Sequence, residues 1–179
     1  MQNEYQHTTS FKVSPLEEFK EAIWKVIETV PDPEIPVITL KDLGVIRDIK
    51  VSDDNAIEVI ITPTYIGCPA MDVMSMSIEQ ALTEQGYKNV KITKVLSPAW
   101  TTDWMSEEGK KKLKEYGIAP PNQKQIVCTP DLFQQEEVVQ CPRCDSYHTK
   151  MISRFGSTPC KALYQCNTCH EPFEYFKCH

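Results

Sequence analysis

At 179 residues, 41% hydrophobic and 25% charged, the chain has the size of one domain with an appendage, or of two small domains, and the balance of a soluble globular protein. Its net charge of −6 argues against general affinity for nucleic-acid backbones, which needs clustered Lys and Arg. No run approaches ~18 apolar residues, the length that spans a membrane.

Residues 1–13 are polar and lack the basic and apolar stretches of a secretory signal, so the expected location is the cytoplasm. In that reducing compartment the eight cysteines read as metal ligands or reactive thiols and not as disulfides. Ser14-Pro15-Leu16-Glu17 predicts a helix start, with Ser14 as cap, Pro15 at the first helical position and Glu17 completing a capping box. Leu16, Phe19, Ile23, Val26, Ile27 and Val30 follow at helical spacing, and Pro31 and Pro33 end the helix. Asp32-Pro33-Glu34-Ile35-Pro36 is then held extended by its prolines.

Val45 to Val51 and Ala56 to Thr62 predict two strands, joined as a hairpin by Ser52-Asp53-Asp54-Asn55. A second helix is expected to begin at Cys68-Pro69, with Met71, Met74, Ile78, Ala81 and Leu82 inward and Gly86 at its end. Val90 to Leu96 predicts another strand. Ser106 caps a short helix that contains Leu113 and Tyr116 and stops at Gly117. This order fits an α/β domain with a mixed sheet over residues 14–118, followed by a linker over 119–140.

The last unit, residues 141–179, carries five Lys/Arg against three Asp/Glu, whereas residues 1–140 carry 14 against 22. Cys141-Pro142-Arg143-Cys144 and Cys166-Asn167-Thr168-Cys169 are two C-x2-C pairs, each able to turn two thiolates toward one ion. Four such ligands make a closed structural zinc site, a zinc ribbon. An iron–sulfur cluster on the same thiolates is the competing reading. So small a unit cannot bury enough apolar surface to fold alone, so its metal must supply much of the stability. Asp145 and His170 stand after the two pairs, where glycine would relieve the turn most easily. Cys160, Cys178, His148 and His179 read as packing or exposed residues, since four thiolates saturate a zinc, and Cys128 receives no role. Phe173, Tyr175 and Phe176 permit single-strand nucleic-acid stacking, but closing the ribbon's small core is the stronger reading.

Cys68 stands at the predicted start of a helix, where partial positive charge favours thiolate, and Gly67 allows close approach. Asp32 and Glu34 can add oxygen ligands if their loop faces it. Met71, Met74 and Met76 are read as packing and not as metal ligands. No Ser-His-Asp set, phosphate loop or dinucleotide fingerprint occurs, so an independent enzyme is not expected.

Several short motifs carry a resemblance. Asp32-Pro33-Glu34-Ile35-Pro36, Asp42-Leu43-Gly44, Thr62-x-Thr64 with Cys68-Pro69, and Pro98-x-Trp100-Thr101 with Met105-Ser106-Glu107-Glu108 resemble the SufT-type domain of iron–sulfur cluster assembly over residues 14–118. Phe155-Gly156-Ser157-Thr158-Pro159-Cys160-Lys161-Ala162 and the ending Glu171 to His179, with the first cysteine pair, resemble the PaaD family of the bacterial phenylacetyl-CoA epoxidase system. That resemblance implies an accessory factor of aerobic phenylacetate degradation that matures an iron or iron–sulfur centre of the oxygenase or reductase subunits. Cys68, Asp32 and Glu34 would hold that transient iron or cluster. The alternative it leaves open is a non-catalytic structural subunit resident in the epoxidase complex.

Overall fold

Ser14 opens the first helix as expected: its Oγ accepts from the Glu17 amide, and Glu17 returns the bond to the Ser14 amide. The computed structural model describes residues 14–52, 54–121 and 138–177. Helix α1 (Pro15–Ile27) buries Ile23 and Ile27, while Leu16, at the outer end of the stripe, stays half exposed. Strands β1 (Ile46–Val51) and β2 (Ile57–Ile61) pair antiparallel across a turn in which Asn55 takes φ 59°. A register shift between Ile46 and Asp48 bulges β1 at Arg47, whose guanidinium lies 3.5 Å over the Trp104 ring.

Helix α2 spans Met71–Glu84 and turns Met71, Met74, Ile78 and Leu82 into the core. It starts later than the sequence predicts: Ala70 occupies the cap position with no side-chain hydrogen bond, and Cys68 remains in the preceding turn. The helix crosses to β3 (Val90–Lys94), which pairs parallel with β2. The sheet order β1-β2-β3 is therefore mixed, as expected. A 3-10 turn (Thr102–Trp104) and helix α3 (Glu107–Tyr116) follow; the Ser106 hydroxyl accepts from the Gly109 amide, and Gly117 closes α3 at φ 96°.

One further strand appears that periodicity does not announce. Strand β4 (Ile118–Ala119) leaves α3 and pairs parallel with β7 (Pro172–Phe176), the last strand of the ribbon. Strands β5 (Thr149–Ser153), β6 (Lys161–Cys166) and β7 complete a second sheet in the order β4-β7-β6-β5. Ala119 packs into the ribbon's core with Val139, Tyr164, Phe173 and Tyr175. In the other direction, Cys160 and Phe176 of the ribbon lie within the core of the first sheet, and Phe176 meets Trp100 edge-on at 6.1 Å. Each unit thus completes the other's hydrophobic packing.

Candidate functional site

The two C-x2-C turns bring Cys141, Cys144, Cys166 and Cys169 together, with all four sulfurs within 4.8 Å of one another. Cys141 and Cys169 are 3.8 Å apart, and Cys144 and Cys166 3.5 Å. A tetrahedral ion with Zn–S bonds of ~2.3 Å needs sulfurs about 3.8 Å apart, so the cluster has the dimensions of a zinc site. Asp145 and His170 take φ 59° and 64°, the left-handed turn that each knuckle requires. The amides of Cys169 and Thr168 point at the Cys166 sulfur and lower its pKa to about 6. Cys144 is pushed up to about 12: the Ser146 amide favours its thiolate, but burial and the crowding thiols prevail. A dication would relieve that crowding. With four thiolates bound it keeps no open position for a substrate, the mark of a structural ion.

A second constellation lies where the two sheets meet. A narrow cleft is lined by Asp32, Glu34, Thr64 and Cys68 from the first unit and by Cys160 from the ribbon, closed by Leu43, Met74 and Phe176. Its free interior is about 10 Å³, room for one water-sized sphere and not for an organic substrate. Asp32 is buried, and its Oδ1 accepts from the amides of Glu34 and Ile35 at 2.9 and 2.7 Å. This turn, fixed by the flanking prolines, aims Glu34 at the ribbon, with its Oε2 3.9 Å from the Cys160 sulfur.

Burial raises the pKa of Asp32 against those two amides, and it raises that of Glu34 with help from the Asp32 charge. The thiols of Cys68 and Cys160 are pushed up as well, first by burial and then by Glu34, against the Ala70 amide and the Thr158 hydroxyl respectively. Tyr65, hydrogen-bonded to Cys68, rises to about 12, chiefly by burial. The expected helix-terminal thiolate at Cys68 is therefore corrected. Because α2 begins at Met71, burial and the nearby acids govern this half-buried sulfur, which carries its proton when no cation is near. Two carboxyls and two thiols crowded out of water favour a cation, which can take the place of the thiol protons.

The cleft unites all three residues expected there, Asp32, Glu34 and Cys68, and adds Cys160, which the sequence pattern assigns to packing. Beyond its place in the motif from Phe155 to Ala162, its sequence signal is redundancy: a ribbon already supplied with four thiolates carries a further cysteine immediately before β6. Of the methionines, Met71 and Met74 pack in the core as read, and Met76 is exposed. His148 is exposed and lies outside the four-cysteine group. Cys128, Cys178 and His179 fall outside the described residues. Asp42-Leu43-Gly44 and Trp100 serve as a clamp and not as a site: the Trp100 Nε1 donates to the Leu43 carbonyl at 2.8 Å, and the Ser106 hydroxyl to Asp42 at 2.8 Å. A wider surface groove of about 450 Å³ runs between α3 and Pro142-Arg143, but Lys111, Lys114 and Arg143 in it face Glu115, Asp145 and Glu171. Among the described residues, no helix is long and apolar enough to cross a membrane.

Two family models match the chain, one described as an iron–sulfur cluster assembly protein over residues 20–93 and one as the PaaD zinc beta ribbon domain over residues 127–177. A protein of Escherichia coli, provisionally named as the D component of a 1,2-phenylacetyl-CoA epoxidase, is 47% identical over 87% of this chain and 91% of its own length. An Fe-S protein maturation auxiliary factor of Porphyromonas gingivalis is 39% identical over 50% of this chain and 85% of its own. A crystal structure of a domain of unknown function, DUF59, from Bacillus anthracis aligns at TM-score 0.51 and 25% identity, over 54% of this chain and 92% of that one. The α/β fold with a C-terminal zinc ribbon is thus shared with known proteins at both ends of the chain.

Proposed function

The chain belongs to the PaaD family of the phenylacetyl-CoA epoxidase system, and from that premise we propose that it is a non-catalytic factor that supplies iron, or an iron–sulfur cluster, to the epoxidase's oxygenase or reductase. The accessory, iron–sulfur maturation part of this reading is supported by relatives named Fe-S maturation auxiliary factors. The choice of client is supported by the relative named for the epoxidase. One observation carries the mechanism: Cys68, distant in sequence from Asp32 and Glu34, shares with them a narrow cleft whose free space is ion-sized.

In this mechanism Cys141, Cys144, Cys166 and Cys169 hold zinc, which sets the ribbon's shape. Cys68 supplies a soft thiolate suited to iron, and Glu34 an exchangeable oxygen. Asp32, its Oδ1 engaged by two amides, orients the loop and adds negative charge. Few ligands from a half-buried cleft hold a cargo loosely enough for a client to take it. Ile66, two residues before Cys68 and 84% exposed, gives such a client an apolar contact beside the thiol.

The test is co-production of the oxygenase and reductase with wild-type protein or with Cys68→Ser, followed by iron and acid-labile sulfide analysis of each partner. The variant is expected to leave one partner several-fold poorer in iron and proportionately less active. Unchanged iron content in both would remove the thiol from the mechanism. A second reading, a structural component resident in the complex, draws support from the exposed Tyr147, Ile152 and Phe155 of the ribbon. Adding this chain to partners already replete with metal separates the two: a stoichiometric requirement for epoxidation favours residence, and full activity without it favours maturation.

A further inference from the structure

Cys160 lies outside the four-cysteine cluster, yet it is 5% exposed and faces the cleft from the ribbon side. It is held there firmly. The Lys177 amide donates to its carbonyl at 3.0 Å, and the Lys161 amide caps the turn before it by donating to the Thr158 carbonyl at 3.1 Å. Its thiol meets the Thr158 hydroxyl at 3.0 Å and Glu34 at 3.9 Å. Lys161, next in sequence and buried, pairs its ammonium with Glu174 at 2.9 Å, and its charge also favours the ionised forms of Glu34 and Cys160.

We infer that Cys160 is a second sulfur ligand of the iron site, so that Cys68 from the first unit, Cys160 from the ribbon and Glu34 between them bind one ferrous ion across the interface. This deepens the delivery reading and rests on it. Two thiolates and one carboxylate form a soft, three-donor set, which selects iron-like ions over magnesium or calcium and leaves a coordination position for an acceptor's ligand. Binding is a substitution without electron transfer: Fe2+ enters, the two thiols release their protons to water, and the Fe–S bonds replace the S–H bonds. Transfer reverses this as an acceptor thiolate displaces one sulfur at a time. The ribbon then does more than dock, because the site exists only where the two units are packed.

The full chain, loaded with one zinc, is titrated with Fe2+ without oxygen, and the iron's neighbours are counted by X-ray absorption. The wild-type protein is expected to bind one iron with two sulfur neighbours. Cys160→Ser and Cys68→Ser are each expected to weaken binding by roughly tenfold or more and to leave one sulfur. Zinc content and far-UV dichroism verify that each variant is folded, and the wild-type sulfur count decides the matter even if a variant is not. Iron bound by a single sulfur, with Cys160→Ser indistinguishable from wild type, overturns the role of Cys160 while leaving delivery through Cys68 intact. Absence of iron binding by the wild-type chain overturns the site altogether. The co-production assay with Cys68→Ser then judges the delivery reading separately.

Discussion

Asp42 accepts at once from the Thr39 amide at 3.1 Å, the Ser106 hydroxyl at 2.8 Å and the Lys112 ammonium at 2.8 Å. Burial alone would raise its pKa; these donors outweigh burial, and the carboxyl sits below its ordinary value. A carboxyl lowered by folding stabilises fully above its unfolded pKa of about 3.9, and its contribution fades as pH falls through the folded value. Asp42→Asn should therefore cost about 1–3 kcal/mol at pH 7, because one partly buried ammonium loses its charged acceptor. Its stability should also fall less steeply than that of the wild type between about pH 5 and 3. Urea midpoints across that range check both, and a wild-type acid limb as flat as the variant's would show that Asp42 contributes little. The consequence is local to the clamp, since Asp42 lies outside the ion-sized cleft.

Gly44 joins this clamp to the 3-10 turn, with φ +68° and so little clearance that an added Cβ would stand 2.3 Å from the Trp104 carbonyl oxygen. Gly44→Ala combines backbone strain with overpacking, for an expected loss of about 2–4 kcal/mol. A thermal shift smaller than that of Asp42→Asn would show that the turn simply moves aside. Elements governed by local rules were legible in the sequence: the Ser14 box, the hairpin through Asn55, the inner stripe of α2 and the turns before Asp145 and His170. The start of α2 was misplaced because Cys68-Pro69 carries helix-start residues whose backbone the turn from Tyr65 uses instead. Strand β4 has two residues and no period to read, and β7 showed its Phe173 and Tyr175 alternation without revealing a partner. Of the site, Cys68, Asp32 and Glu34 came from short motifs. Cys160 stands in such a motif too, but its place beside the cleft does not show there, since it meets Glu34 across 126 positions of chain only when the sheets pack.

Phe176 makes the two units into one machine, because it belongs to the ribbon's last strand by hydrogen bonding and to the other unit's core by packing. Removing the ring should cost about 3–5 kcal/mol, yet the zinc cluster, in a different core, should stay filled. Cys144→Ser strikes the opposite point: it breaks the zinc site, so the ribbon loses the metal that folds it and then ceases to cover Trp100 and the cleft. If the iron site spans the interface, both variants must weaken iron binding, Phe176→Ala with zinc still present and Cys144→Ser with zinc lost. If the site belonged to the first unit alone, Phe176→Ala would lower the melting temperature while each folded molecule bound iron as well as wild type. Parallel zinc analysis, thermal melts and ferrous titration of the two variants distinguish these outcomes. A normal iron affinity in Phe176→Ala would confine the ribbon to docking, whereas a loss proportional to the loosened packing would make the interface itself the carrier of the cargo.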